Sequence, residues 1–417
     1  MARFLFATWE GGGHVQPMLS VAAGLKARGH AVLAMSDAAN APDAKALGVD
    51  FRPWTTAPSL ADKARSGDRL RDWEADNPLQ IIQDLLGKVM TGPAGDYAAD
   101  VTAAISTFKP DVVVSQELLF GPMLAAEAAG LPLALLAANV WPFPTLPGAP
   151  PFGTGMAPAA GDDDRALQAM VLQTTRTIFQ MGLPDLNAAR AKLGLMPLAD
   201  LFDQLAYARS ILLATSRAFD FAPEPLAEPF HYVGPYLGDP ADVADWTPPW
   251  ADERPLVVVS SSTLYEGQEG WLGRVIEALG GLPVNALVTV GPSVDPAQFN
   301  PPANVAVVAS APHSQVLPKA AAMITHGGHG SVLRGLMAGI PMLLLPAVRD
   351  QTDNAARVTA RGAGLSLPRD AAPERLAEAV GRLLNEPGFR ESAGALGAAI
   401  SRDAAGRSAE DELERLI

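Results

Sequence analysis

Cysteine is missing from all 417 residues, so disulfides, thiolate metal sites and a cysteine nucleophile are excluded. Basic residues are in the minority: 31 Lys and Arg against 45 Asp and Glu leave a net charge of −14. That balance argues against nucleic acid or an anionic membrane as the main partner. It leaves room for a small anionic ligand, which helix ends and local donors can hold. No apolar run reaches the ~20 residues of a membrane span; the longest, such as Leu131–Val140, contain Pro or polar residues. The start, MARFLFATWEGGG, lacks the apolar core and cleavage site of a signal peptide. A cytoplasmic monomer or homodimer is expected.

What is present is enough for two cores. Hydrophobic residues make up 48% of the chain and charged ones 18%, and the length suits two domains of about 200 residues. Arg3–Trp9 reads as a strand, Glu10–Gln16 as a glycine-rich loop, Pro17–Arg28 as a helix and His30–Ser36 as the next strand. Asp111–Ser115 and Leu131–Ala137 repeat the pattern. Trp141–Asp164, rich in Pro, Gly and Ala, reads as a loop or flap, and its Asp162-Asp163-Asp164 as a solvated turn with no metal. Helical segments are expected at Arg165–Gln180 and Leu186–Gly194, and a strand at Ser210–Thr215. The Pro- and Asp-rich stretch 235–254 reads as a linker. Strands at Leu256–Val259, Ala286–Val290, Val305–Val308, Ala321–Thr325 and Ile340–Leu345 then restart the alternation, and the tail from Ala371 is helical. The expectation is α/β, two doubly wound domains (1–234 and 255–397) facing across a cleft, with ligands at the carboxyl ends of the strands.

Three loops at such strand ends could carry chemistry: Glu10–Pro17, Ser260–Leu264 and His326–Ser331. Glycines 327, 328 and 330 let the backbone approach a ligand closely. Ser331 is expected to open a helix whose free N–H groups and dipole attract phosphate, with His326 adding a donor. In the first loop, Gly11-x-Gly13 and Asp37 imitate part of a dinucleotide fingerprint, but Gln16 replaces its third glycine. His14 stands at a helix start, where the dipole disfavours protonation and leaves a neutral imidazole able to act as a base.

At these residues the chain resembles a family-one glycosyltransferase of the GT-B fold, the group that includes the bacterial macrolide-type enzymes. The resemblance rests on Pro312–Leu317 (PHSQVL), HGGHGS at 326–331, AGIP at 338–341, Pro346 with Asp350, Gln351, Asn354 and Ala355, and Gly13-His14-x-x-Pro17. It implies a transfer that inverts the anomeric centre and needs no metal or other cofactor. The donor is a nucleoside diphosphate sugar, UDP- or dTDP-linked. His14 takes the acceptor's proton. His326 with the backbone of Gly328, Gly330 and Ser331 holds the pyrophosphate, and Asp350 and Gln351 contact the sugar. Ser310, His313 and Val316 border the base, and Ser262 and Thr263 lie near the phosphate. The first domain, with the C-terminal helix of about 398–417 packed back on it, takes the acceptor and the second takes the donor.

The chain departs from the family pattern at four places. Ser310 stands where a base-stacking aromatic is found, and His313 where Gln is common. Arg334 replaces an acid that grips the ribose hydroxyls, which favours dTDP over UDP. Gln116 replaces an Asp that orients the catalytic histidine; the adjacent Glu117 either takes that role or leaves the pair incomplete. A hydrophobic small-molecule acceptor is expected beside Gly13, around Trp54, Trp73, Trp141 and Phe143, although core or flap packing explains these aromatics as well. A sugar-nucleotide epimerase of the same fold, or a non-catalytic activator that retained it, are the alternative readings.

Overall fold

The computed structural model describes residues 1–63, 69–75, 77–238, 246–263 and 265–417. Leu264 of the second loop and 239–245 of the expected linker lie outside the described residues. Two parallel sheets organise the rest. The first runs β3-β2-β1-β4-β5-β6-β7, from β1 (Arg3–Ala7), β2 (Ala31–Ser36), β3 (Asp50–Pro53), β4 (Val112–Gln116), β5 (Leu133–Ala137), β6 (Ser210–Leu213) and β7 (Phe230–Tyr232). The second runs β10-β9-β8-β11-β12-β13, from β8 (Leu256–Ser260), β9 (Asn285–Thr289), β10 (Val305–Val308), β11 (Ala320–Thr325), β12 (Met342–Leu344) and β13 (Gly364–Ser366).

Both faces of each sheet are covered, which is why the central strands are apolar throughout. In β1, Leu5 and Ala7 enter one core and Phe4 and Phe6 the other. In β8, Val257 and Val259 point to one side and Val258 to the other. The strand order reverses between β1 and β4 and between β8 and β11. At such switch points neighbouring loops diverge and leave a crevice. Ala7 pairs with Ser115 at one and Ser260 with Thr325 at the other, so the His14 loop and the His326 loop both leave from a crevice.

Several expected boundaries move. The first helix is Val15–Ala27, so Pro17 is its third residue; no bond is lost, because the first N–H groups of a helix have no internal acceptor. A helix spans Asp162–Phe179, so the three Asp form its first turn instead of a free loop. Negative charge there complements the helix dipole. The next helix is Leu183–Lys192.

The return of the tail also begins later than residue 398. Most of the helix Pro387–Ala404 packs on the second domain, with Ala393, Leu396 and Ile400 in its core. A Cβ at Gly397 would collide with the Leu336 carbonyl, so only glycine permits that approach. The end of that helix and the segment after it reach the first domain: Asp403 accepts from the Ala218 N–H at 2.9 Å, Ala409 and Leu413 join its core, and Arg28 pairs with Asp411 at 2.7 Å and Glu414 at 3.0 Å. Among the described residues no helix is long and apolar enough to cross a membrane.

Candidate active site

The loop after β1 is pinned from behind. Asp37, fully buried, accepts from the Glu10 N–H at 2.7 Å, and Glu10 accepts from the Gly12 N–H at 2.9 Å. Gly12 has φ +82, a value that favours glycine. Gly11 has no room for a side chain, since a Cβ would stand 2.6 Å from the Trp9 indole. Gly13 is exposed with open space beside it.

His14 caps the first helix. Its Nδ1 lies 3.3 Å from the Gly11 carbonyl, a contact that places the proton on Nδ1 and leaves the Nε2 lone pair free. Burial lowers its pKa, the Asp350 charge opposes that, and the Gly11 contact also raises it, while Arg349 lowers it further. Burial therefore favours the neutral ring, and the Asp350 charge favours its protonated form.

Glu117 is brought to His14 but not in the orienting role. Its Oε1 is 3.8 Å from Nε2, beyond hydrogen-bond reach and on the opposite side of the ring from Nδ1. It is 1% exposed, its Oε2 has no hydrogen-bond partner, and burial pushes its pKa up to about 8. The Gly11 carbonyl thus does what a carboxylate partner would do for the tautomer. Gln116 is buried and accepts from the Leu118 N–H at 3.2 Å.

Across the cleft, His326 follows β11. Its Nδ1 lies 3.3 Å from the Ser260 carbonyl, and a Cβ at Gly328 would collide with its Nε2. The imidazole therefore lies over the Gly328 backbone. Gly327 has φ +96, and its carbonyl accepts from Asn354 at 2.8 Å. The helix is His329–Met337 with Gly328 as cap, so Ser331 is its third residue, not its first. The first intrahelical bond is Val332 N–H to Gly328 O at 3.0 Å, so the earlier N–H groups project from the helix end. The Ser331 hydroxyl meets that of Ser260 at 3.2 Å. The second histidine of the loop, His329, turns away: its Nε2 is 2.8 Å from the Thr215 hydroxyl of the first domain, and burial lowers its pKa to about 4.

Asp350 caps the helix Gln351–Ala360 and accepts from Asn354 at 2.8 Å. Gln351 is 2% exposed. Its amide oxygen takes the Ala347 N–H at 2.9 Å and its NH2 reaches Glu266 at 3.0 Å, so in this conformation it shapes the loop and leaves Asp350 to face the cleft. Glu266 also accepts from Ser262 at 3.1 Å, tying the loop after β8 to this helix. Thr263 and Ser310 are exposed, and His313 begins a short helix. Val316 is fully buried in the core. Arg334, half-buried, donates to the Gly238 carbonyl at 2.7 Å.

Of the expected acceptor aromatics, Trp54, Trp141 and Phe143 are buried. Trp54 is 3% exposed, packs edge-on to Tyr97 and donates to the Thr8 carbonyl at 3.1 Å. Trp141 and Phe143 sit in an aromatic core with Phe120, Phe179, Phe202 and Phe230. Trp73 crosses to the second domain and packs on Tyr265, ring centroids 5.0 Å apart, next to an Asp72–Arg349 ion pair. Sequence reading missed Glu266, Arg349 and Asp353. None lies in a periodic pattern, and the partners that place them, Gln351, Asp72 and Gly153, are 85, 277 and 200 residues away in the chain. Among the described residues no group of three His, Asp or Glu could hold a metal ion.

A family model described as "Erythromycin biosynthesis protein CIII-like, C-terminal domain" matches residues 273–412. The chain is 30% identical over 408 residues to 4'-demethylrebeccamycin synthase of Lentzea aerocolonigenes, covering 95% of this chain and 94% of that one. It is 25% identical to demethyllactenocin mycarosyltransferase of Streptomyces fradiae, covering 100% and 87%. The crystal structure of the kitacinnamycin glycotransferase shares the fold at TM-score 0.79 and 23% identity, covering 100% of this chain and 99% of that one. The calicheamicin glycosyltransferase CalG4 does so at TM-score 0.75 and 24% identity, covering 100% and 98%. Two facing doubly wound sheets with these loops define a GT-B glycosyltransferase. Within that class the chain belongs to the macrolide-type family-one enzymes.

Proposed function

We propose that the enzyme moves a hexose from a nucleoside diphosphate sugar to a hydrophobic small-molecule acceptor with inversion, using His14 as general base. The observation that carries this is His14 itself: neutral, its proton held at Nδ1 by Gly11, its Nε2 free, and Asp350 of the opposite domain close enough to raise its pKa. The acceptor oxygen forms a bond to the anomeric carbon as the carbon–phosphate oxygen bond breaks. The hydroxyl proton passes to Nε2, and the nucleoside diphosphate leaves with the bonding pair. One displacement at that carbon inverts it. Asp350 stabilises the imidazolium that results. The projecting N–H groups at Gly330 and Ser331, with His326, suit the charge that develops on the leaving phosphate. Such donors make a divalent metal unnecessary, and full activity in a chelator is expected.

Glu117 remains protonated at neutral pH and acts from the Nε2 side as a neutral neighbour of the base. The donor is dTDP- or UDP-linked. Arg334 in place of an acid favours dTDP, and two neighbours of the same fold, VinC and SsfS6, were solved with dTDP and thymidine diphosphate. The relatives' names, a rebeccamycin-type synthase and a mycarosyltransferase, support a natural-product acceptor. The test is a panel of UDP- and dTDP-sugars against mixed aglycones with product masses measured. Donor turnover without any acceptor, giving an isomerised sugar nucleotide, would sink the transferase reading.

A further inference from the structure

The Gly11 carbonyl that meets His14 shares a peptide unit with the Gly12 N–H, and that N–H donates to Glu10 Oε1 at 2.9 Å. A trans peptide is planar, with its C=O and N–H pointing opposite ways. The cis bonds among the described residues are Glu224–Pro225 and Glu228–Pro229, so this peptide is trans. Glu10 therefore stands at one edge of the Gly11–Gly12 peptide and the His14 imidazole at the other, with Nδ1 3.3 Å from the Gly11 oxygen. A carbonyl can only accept, so the proton in that contact sits on Nδ1.

The surroundings keep Glu10 in place and the peptide dry. Glu10 is buried, its own N–H is held by Asp37, and Lys63 Nζ lies 3.4 Å from its Oε2. Asp37 is paired in turn with Arg69. Burial and the Asp37 charge raise the Glu10 pKa, while Lys63 and the Gly12 N–H favour the carboxylate. Gly11 is buried against the Trp9 indole, whose ring lies 6.4 Å from the imidazole at 25°. Away from water a hydrogen bond strengthens, and bonds in a row polarise one another. Negative charge facing the Gly12 N–H pushes electron density onto the Gly11 oxygen and makes it a better acceptor for Nδ1–H. The other carboxyl near the ring, Glu117, lies 3.8 Å away on the Nε2 side and cannot serve Nδ1.

We propose that Glu10 is a positioning residue for the base: through the Gly11–Gly12 peptide its carboxylate holds His14 in the Nδ1–H form and strengthens Nε2 as the proton acceptor. The inference rests on the reading of His14 as general base given above. It places the acid that orients the histidine four residues before it in the same loop, one peptide removed from the ring.

The full-length chain is compared with Glu10→Gln and Glu10→Ala by NMR of isotope-labelled histidine nitrogens, the His14 signals being those lost in His14→Ala. Glutamine keeps an oxygen for the Gly12 N–H but no charge, so it separates polarisation from loop shape. In the wild type His14 should carry its neutral-state proton on Nδ1. In Glu10→Gln it should titrate about 0.5 pH unit lower, because the imidazolium loses a stabilising charge. In Glu10→Ala the proton should shift toward Nε2. Asp350, Arg349 and Glu117, which face the ring from other elements, are the same in every variant. With the acceptor that the wild type accepts in the panel, kcat should fall about threefold in Glu10→Gln and about tenfold in Glu10→Ala, with dTDP affinity within about twofold. The acidic limb of kcat/KM should move to lower pH with the NMR titration. Glu10→Gln decides the matter alone where Glu10→Ala does not fold. A Glu10→Gln with the wild-type titration and kcat, or a wild-type His14 protonated at Nε2, overturns the relay. Normal transfer by His14→Ala fails the base reading instead, and the NMR titration then decides the relay.

Discussion

At the residue scale two side chains, His14 and Glu117, carry opposite consequences of burial. Burial keeps the imidazole neutral and the carboxylic acid protonated, so neither group is charged at rest near neutral pH. His14→Ala should lower transfer by ~10²–10⁴ while leaving dTDP affinity intact; undiminished transfer to a hydroxyl acceptor would refute the base assignment. For Glu117 the folded protein holds the proton up to about pH 8, whereas the unfolded chain releases it near its ordinary value of 4.5. Between those limits the folded state binds more protons, so its stability from this group falls as pH rises. Glu117→Gln should flatten that fall and be the more stable variant above about pH 8. The gain is on the order of a few kcal/mol, since each tenfold change in proton affinity is worth about 1.4 kcal/mol. Denaturant titrations at pH 5 and 9 read the difference. If the variant loses transfer at pH 7, the neutral role proposed for Glu117 is wrong.

The element scale belongs to the loop and helix His326–Met337. Glycine at 328 is needed because the imidazole of His326 occupies the space a side chain would take. Gly328→Ala should displace that ring. His326→Ala removes it outright. Both are expected to weaken dTDP binding, and His326→Ala to lower kcat by ~10²–10³, the usual cost of one donor to developing charge. A normal kcat with weakened binding would reduce His326 to a ground-state contact. The HGGHGS spacing made this loop legible in the sequence, because glycines and a strand end constrain local backbone. It could not separate the two histidines: His326 lies over Gly328 of its own loop and His329 meets Thr215 of the first domain, and only packing decides which. Glu117 was likewise legible as a neighbour of His14, but which ring nitrogen it meets depends on how β4 lies beside β1.

For the whole molecule, the interface between domains is polar and specific. Arg357 and Asp220 form an ion pair at 2.7 Å with side chains 6% and 5% exposed, and Tyr232 donates to the same carboxylate at 2.7 Å. Asp403 takes the Ala218 N–H at 2.9 Å, and His329 meets Thr215. Removing one partner strands a buried charge. Asp220→Ala should therefore cost about 3–5 kcal/mol in chemical denaturation, and replacing Arg357 by Met in the same chain should recover part of it. Equal stability of the single and double variants would mean the pair does not hold the domains together.

The sequence by itself determined two parallel α/β sheets, the loops that leave them, and the residues that mark the family, because strand and helix periodicity and glycine spacing are local signals. Only the tertiary structure decided which aromatics are core, which nitrogen of His14 is free and what Asp353 binds. Trp54, Trp141 and Phe143 look the same in sequence whether they line a cleft or fill a core. Asp353 accepts from Gly155 and Gly153, 198 and 200 positions away, and no local pattern encodes a contact between two domains.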